Sequence, residues 1–514
     1  MVDKVNVLNL KEWVVKVKFF DIVAGGSIVV LNSTEAMSNG VYPNYRVNLI
    51  KDKNVTEIAV VDLSEKLVHA GEIGVFKEVA DELGVKEGDI LRIDHLPRPS
   101  SLDYIKRKMD GNALRDDEIS QIIKDLMDNK LSQAELAAYI TSVYIRGLTD
   151  DEVVSLTNAI AQSGDVLDIG KSPIVDKHSI GGVTGRVTMV MVPILATAGL
   201  WVPKTSSRSI TSAAGTADAM EVFCPVDISI DELREIVLKT HGAVVWGGGI
   251  NLAAADDKLI KIRHPFSLDP KGILLSSILA KKKSVNAEYL VIDLPVGRGA
   301  KIQDLKVAKE LGHDFINISS RLGIKTEVAI TDGSDPIGHG VGPGLESIEV
   351  LEVLMGNGPR DLKHKSCMLA GTLLEMTGKA KKGTGFSAAE KIIDSGKALS
   401  KFREIVEAQG GNPNVTIADI PIGTYKYNVL STKSGRIRHA DNKTLARLAR
   451  VAGAPVDKGA GLKIHCEKGD KVHKGDILFE IFAESEAKLD YALKAYEGGW
   501  NPFEMENMII DTLK

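Results

Sequence analysis

Two short stretches carry anion-binding groups close enough in sequence to serve one site. The first, Asp176-Lys177-His178-Ser179-Ile180-Gly181-Gly182, follows an apolar strand-like run and precedes a helical run that begins near Val183. Paired glycines let backbone N–H groups face an anion, and a helix N-terminus adds partial positive charge. Lys177 and Ser179 could then supply an ammonium and a hydroxyl to one phosphate. A glycine turn with a solvated lysine is the bland reading, and it would win if this stretch stood alone. The second stretch, Thr205-Ser206-Ser207-Arg208-Ser209-Ile210-Thr211-Ser212, closes with Gly215-Thr216-Ala217-Asp218. Its dense hydroxyls and single planar guanidinium suit phosphate oxygens and ribose hydroxyls.

Both stretches sit where an α/β fold would place ligand loops. From about 170 to 405 short apolar strands alternate with helices: PIVD at 173–176, AVVW at 243–246, EYLVIDL at 288–294 and TEVAIT at 326–331. That rhythm predicts a mainly parallel sheet whose carboxyl-end loops face ligand. Before it, residues 1–96 read as a small β-rich domain, with Val15, Val17 and Phe19 alternating with lysines. Prolines in LPRPS at 96–100 mark a linker. Residues 101–168 read as an antiparallel helical domain, a surface for subunit pairing. Ile119, Ile122, Ile123 and Leu126 share one helical face, and Ser132 with Glu135 and Thr149 with Glu152 form capping boxes. Residues 415–514 form a C-terminal α+β domain. The chain is therefore read as a multidomain α/β protein.

Composition narrows the function classes. The 514 residues carry a net charge of −5, with 44% hydrophobic and 26% charged residues, so there is no general pull toward nucleic acid or anionic membrane. No apolar run reaches the length of a membrane span. Three scattered cysteines, Cys224, Cys367 and Cys466, offer neither a disulfide framework nor metal-ligand spacing, and a reduced cytoplasm fits them.

DKHSIGG, then SSRSITSAAGTADAMEVF, then SSILAKK at 276–282 resemble the thymidine/pyrimidine-nucleoside phosphorylase family from about residue 101 to the C-terminus. The resemblance implies a helical domain, an α/β domain and a C-terminal α+β domain. It also implies a homodimer or higher homo-oligomer, paired through the helical domain, and needs neither cofactor nor metal. Two departures are similar to an archaeal branch that splits nucleoside 5′-monophosphates: the first hundred residues are an addition, and SSRSITS replaces a glycine-rich loop. That branch implies AMP and inorganic phosphate as partners, with free base and ribose 1,5-bisphosphate as products. Extra hydroxyls suit a 5′-phosphate, which needs donors that a nucleoside does not.

By this resemblance Lys177, Ser179, Ser206 and Thr216 hold inorganic phosphate. Gly181, Ser207, Arg208, Ser209, Ile210, Thr211, Ser212, Thr216, Ser277 and Lys301 hold the nucleotide. Thr216 falls in both sets. Lys301, in VGRGAK at 296–301, follows a strand and a glycine loop, which favours an anion contact. Arg263 and Lys281 resemble the family's grip on a pyrimidine base; as composition alone, Lys281, Lys282 and Lys283 are an exposed charge run at a helix end. Two groups could protonate the departing base. His178 has a suitable ordinary pKa. Asp269, in SLDPKG, matches the proton donor of the nucleotide branch and must then be poorly solvated. TDGSDPIGHGVGPG at 331–344 lines a hinge or cleft without assigned chemistry, and GDKVHKGDILFEI in the last domain is structural. Rival readings are a pyrimidine-nucleoside phosphorylase, a phosphoribosyltransferase such as the anthranilate enzyme, and a non-catalytic AMP-binding assembly protein.

Overall fold

The computed structural model describes residues 12–52, 55–181, 186–209, 212–266 and 268–506. The chain divides into two compact units, the first Met1–Gly164 with Ala253–Ser277, the second Asp165–Leu252 with Ile278–Lys514. The 170–405 span expected as one α/β domain thus contains a segment, Ala253–Ser277, that belongs to the first unit.

In the first unit, strands β1 (Trp13–Phe20), β2 (Ile28–Asn32), β3 (Arg46–Ile50), β4 (Thr56–Ser64), β5 (Glu72–Phe76) and β6 (Ile90–His95) close a barrel in the order β1-β5-β2-β4-β3-β6. Closure removes the exposed sheet edges that a lone small sheet would present. Short helices α1 (Ser33–Ser38) and α2 (Lys77–Leu83) sit between strands. Val15 and Val17 enter the barrel core as their alternation predicts, whereas Phe19, near the end of β1, is exposed. Helices α3 (Ser101–Met109), α4 (Asp116–Met127), α5 (Gln133–Arg146) and α6 (Asp150–Ala161) follow. The α4 face of Ile119, Ile122, Ile123 and Leu126 is buried, and both capping boxes form. Arg46 of the barrel donates to the Lys130 carbonyl at 2.6 Å and pairs with Glu135, tying barrel to bundle. A helix reached later in the chain (Ala254–Arg263) adds to this bundle: Lys258 Nζ donates to Asn129 Oδ1 at 2.8 Å.

In the second unit the strands are β7 (Val175–Ser179), β8 (Val202–Ser206), β9 (Gly242–Trp246), β10 (Tyr289–Val296) and β11 (Lys325–Asp332). They form two parallel pieces, β11-β10-β7 and β8-β9. An isolated bridge between Ile174 and Trp201 joins the pieces in the order β9-β8-β7-β10-β11. Beyond that bridge β7 and β8 share no ladder among the described residues. Helices α7 (Arg186–Thr197), α8 (Thr216–Met220), α9 (Ile230–Thr240), α10 (Ala254–Arg263), α11 (Lys271–Ser284) and α12 (Leu305–Arg321) connect the strands, and the division into units falls inside α11. Eleven of the twelve α7 residues are buried, as a helix apolar on nearly every side requires.

Strand β12 (Gly340–Val341) and helices α13 (Pro343–Leu354), α14 (Arg360–Met376), α15 (Gly385–Asp394) and α16 (Lys397–Ala408) complete the α/β layers. The C-terminal part holds β13 (Tyr425–Leu430), β14 (Gly435–Ala440), α17 (Asn442–Val451), β15 (Gly461–Ile464), β16 (Lys471–Val472), β17 (Ile477–Ala483), α18 (Glu486–Glu497) and β18 (Phe503–Glu506). The glycine-rich 331–344 segment supplies β12, which pairs with β15 and so stitches the C-terminal sheet to the α/β layers. No described helix is long and apolar enough to cross a membrane.

A buried ion pair braces the bundle. Glu152 caps α6, accepts from the Leu114 N–H at 2.9 Å and pairs at 2.6 Å with Lys108, itself buried. Glu152→Ala leaves that ammonium uncompensated and is expected to cost about 3 kcal/mol in urea unfolding. Glu152→Gln, which keeps the packing and a hydrogen-bonding group, is expected to cost less; equal losses would contradict the charge argument.

Candidate active site

The two motif stretches end neighbouring parallel strands. Lys177 and Ser179 lie on β7, and Ser206 ends β8. Chain order explains why a cleft belongs here. From β7 the chain builds outward through β8 and β9, then returns to the other side of β7 with β10 and β11. Ligands favour the carboxyl ends of strands at such a reversal.

The polar core of this site is buried and strongly charged. Asp176 is 1% exposed and sits between two lysines, with Lys282 Nζ at 2.7 Å and Lys204 Nζ at 3.4 Å. Burial raises its pKa, yet Lys204 and Lys282 outweigh burial and hold the carboxyl below its ordinary range. Lys204 bridges the gap between β7 and β8. Burial, partly offset by Asp176, brings its pKa down to about 7. Lys177, also buried, donates to Thr188 Oγ1 at 3.4 Å, and burial brings its pKa down to about 8. On β10, Asp293 accepts from the Ser179 hydroxyl at 2.6 Å and from Thr331 at 2.6 Å, with Lys365 Nζ 3.1 Å away. Burial opposes ionisation of Asp293, but Lys177 and Lys365 keep its pKa low. Four ammonium groups therefore face two carboxylates. The surplus suits a dianion such as phosphate, which would also offset the cost of burying the lysines.

His178 is half-buried beside the same lysines. Burial first, then Lys282, Lys204 and Lys177, push its pKa well below 6.5. The imidazole is thus neutral at neutral pH, able to orient a ligand but without the second ring proton of a general acid.

After β7, Gly181 has φ +108° and packs so closely on Lys301 that a Cβ would lie 2.8 Å from the lysine Cβ. This brings Lys301 itself to the end of β7, although the two are far apart in sequence. In the loop after β8, Asp218 accepts from the N–H groups of Ser209 (2.7 Å) and Gly215 (2.9 Å). A Cβ on Gly215 would meet the Ser207 carbonyl at 2.4 Å, so the turn needs glycine there. Ser209 Oγ donates to the Ser212 carbonyl, and Ser212 Oγ donates to Ser209 Oγ at 3.2 Å. Ser207 is exposed, and Thr216 opens α8. Ile210, Thr211 and Gly182 lie outside the described residues.

Arg208, expected to contact the nucleotide, is paired with a carboxylate in this structure. Its guanidinium forks onto Glu221 at 2.7 and 2.5 Å and lies over the Trp246 ring at 4.9 Å. The Arg208 hydrogen bonds, aided by Lys458, lower the Glu221 pKa to about 2.

Asp269 and Ser277 belong to the first unit. Ser277 is buried and donates to Asp256 at 2.7 Å. Asp269 is 28% exposed at its side chain and accepts from Arg263 at 2.5 Å. The Asp269 carboxyl is thus partly exposed and paired with Arg263, the residue that the resemblance gives to the base. The lysine run is corrected. Lys282 is buried against Asp176, so Lys281–Lys283 is no solvated face. Lys204, Lys282, Asp293 and Lys365 escaped the sequence reading. Only a charged residue inside a strand that is otherwise continuously apolar, as parallel strands buried on both faces are, could have flagged Lys204 and Asp293.

The fold and site define a class, and comparison gives it a family. The helical bundle domain of a glycosyl transferase family matches residues 102–164, that family's a/b domain matches 171–399, and a pyrimidine nucleoside phosphorylase C-terminal domain matches 436–502. Anthranilate phosphoribosyltransferase from Thermus thermophilus shares the fold, with a TM-score of 0.52 and 17% identity over 60% of this chain and 100% of that one. Nearly the whole chain also aligns with curated relatives named AMP phosphorylase. The Thermococcus kodakarensis relative is 44% identical over 97% of this chain and 99% of its own length. The Methanosarcina barkeri relative is 44% identical over 96% and 97%, and AMP phosphorylase 1 of Archaeoglobus fulgidus is 43% identical over 92% and 93%. The chain belongs to the AMP phosphorylase family.

The lysine cluster makes a pH-dependent prediction. Lys204 and Lys177 carry charge below about 7 and about 8 and lose it above those values. Sulfate stays dianionic across this range. Its dissociation constant, followed by its effect on Tm, is expected to weaken at least tenfold from pH 6.5 to 9, because two cations titrate away. A pH-independent affinity would contradict the assignment.

Proposed function

We propose that this enzyme is a pentosyltransferase that cleaves AMP with inorganic phosphate, giving adenine and ribose 1,5-bisphosphate. The observation that carries the reading is the buried surplus of lysine charge beside Lys177 and Ser179, adjoining a second loop rich in hydroxyls. One cationic pocket suits the attacking phosphate. The Ser207–Ser212 loop, with Gly181, Thr216, Ser277 and Lys301, suits the nucleotide. Family membership supports the same division, since the relatives' printed name is AMP phosphorylase.

The bond between C1′ and the base nitrogen breaks with its electrons passing to the base, and a phosphate oxygen bonds to C1′. Hydrogen phosphate gives up one proton as it becomes an ester, and the base gains one, so the reaction needs no net proton. Lys177 and the Ser179 hydroxyl hold the attacking phosphate in the water-poor pocket, where charge stabilisation is strongest. Lys204 and Lys282 fix Asp176, the neighbour of Lys177 on β7. His178, neutral, orients ligand. We assign delivery of the proton to the base to Asp269, whose carboxyl must then be shielded from water when the nucleotide is bound. CMP and UMP fit the same chemistry, because the loops address phosphate and ribose rather than the base. We further assign the helical bundle to subunit pairing in a homo-oligomer, and the enzyme to the cytoplasm.

Asp269→Asn is expected to retain AMP affinity while lowering kcat more than a hundredfold, since it removes proton transfer without removing a ligand contact. Unchanged turnover would sink the role of Asp269 and leave the phosphate site standing. The nearest rival, a pyrimidine-nucleoside phosphorylase, is separated by the substrate: uridine or thymidine cleaved faster than AMP, CMP or UMP would favour it.

A further inference from the structure

The Ser179 hydroxyl at the phosphate pocket is already engaged. It donates to Asp293 Oδ2 at 2.6 Å, across the β7–β10 pairing that sets Ser179 opposite Asp293. Asp293 is 1% exposed, and two further donors meet its oxygens. Thr331 donates to Oδ1 at 2.6 Å, and Lys365 Nζ lies 3.1 Å from Oδ2. Lys365 also donates to Thr331 Oγ1 at 2.9 Å. It reaches this point from α14, while Thr331 stands on β11 at the head of the glycine-rich 331–344 segment.

Elementary chemistry fixes where the protons of this network lie. An ammonium only donates, and an ionised carboxylate only accepts. Burial disfavours the charge on Asp293, but Lys177 and Lys365 outweigh it and keep the carboxylate ionised. Each hydroxyl has one proton, so Ser179 and Thr331 both commit theirs to Asp293, and Lys365 fills a lone pair of Thr331. Ser179 is left with lone pairs alone for a ligand: it accepts and does not donate. Turning the hydroxyl away would break a charge-assisted bond at a half-buried position, where such bonds are among the stronger kinds.

The four ammonium groups around the pocket do not distinguish one oxyanion from another of equal charge. A hydroxyl that only accepts does. Hydrogen phosphate offers it a P–OH proton; sulfate has none, and its oxygens would meet Ser179 lone pair to lone pair. On the reading of Lys177 and Ser179 as the grip on inorganic phosphate, we propose that Asp293 is a positioning residue that sets anion specificity: by holding the Ser179 hydroxyl as an acceptor, it makes the pocket select oxyanions that carry a proton over those that carry none. Thr331 and Lys365 keep the Asp293 carboxylate in place for that task. The lysines govern how strongly a dianion is drawn in, and Ser179 governs which dianion is retained.

Calorimetric titration of the full-length enzyme at about pH 8 tests this with four anions. Hydrogen phosphate and hydrogen arsenate have the proton. Sulfate and monofluorophosphate carry the same charge without it, and fluorophosphate keeps the phosphorus centre. Phosphate and arsenate are expected to bind on the order of tenfold tighter than the other two, or more. Ser179→Ala leaves Asp293 paired with Thr331 and Lys365. It is expected to weaken phosphate and arsenate to the level of fluorophosphate, whose own affinity stays within twofold. An Asp293→Ala enzyme has a Ser179 hydroxyl free to donate, so phosphate and fluorophosphate are expected to differ by less than threefold. Equal binding of phosphate and fluorophosphate by the wild type would overturn the proposal, whatever the variants do. So would a Ser179→Ala enzyme that loses all four anions alike, because Ser179 would then be donating to ligand. Full selectivity retained in Asp293→Ala would overturn the role of Asp293. Wild-type enzyme that releases no adenine from AMP and phosphate would instead overturn the reading of the pocket itself, a result obtained before any anion is compared.

Discussion

The Asp176 carboxylate, held between Lys204 and Lys282, is the constraint on which the catalytic half of the molecule depends. Three ammonium groups, those two and Lys177, are buried within one strand's reach of each other. Without Asp176 they would repel and draw in water. With it, β7 and β8 can part after a single bridge and still be held by side chains across the gap. The cations are thus buried, and two of them paired, before any ligand is considered. Lys204 and Lys177 hold lowered pKa values, so they answer to an incoming anion by taking up protons.

Around this centre, glycine and polar ties do the positioning. Gly181 lets the backbone of Lys301 come close to the end of β7. Asp218 gathers the backbone of the serine loop, while Glu221 collects Arg208 and Lys458. The C-terminal domain is accordingly part of the site's framework. Its sheet takes β12 from the α/β layers, and its α17 meets two ligand-edge loops. The first unit is organised on a different principle, an apolar barrel joined to a capped helical bundle, with Asp269 and Ser277 carried on its later segment.

Local patterns made much of this legible in the sequence. The face of α4 and the two capping boxes were readable because their period and spacing are fixed by helix geometry. The strands carrying AVVW and TEVAIT were readable because each is an apolar run between turn signals. The buried charge network was not. Lys204 sits in WVPKTS and Lys282 in a run of three lysines, and sequence gives lysine a strong prior for solvent. Only the meeting of β7, β8 and α11 around Asp176 buries them. For Arg208, an arginine among serines, the fork onto Glu221 thirteen residues on is visible only in three dimensions. Nor does SLDPKG as a motif show that Arg263 pairs with Asp269.

Attack of phosphate itself on the sugar, from the lysine pocket, is tested most directly by following its oxygens. The enzyme is incubated with AMP and fully 18O-labelled phosphate, and the sugar product is weighed by mass spectrometry. Phosphorolysis predicts free adenine and a ribose bisphosphate carrying the complete label of the added phosphate, with the bridging oxygen at C1 also heavy. Adenine released together with unlabelled ribose 5-phosphate, the label staying in inorganic phosphate, would contradict it.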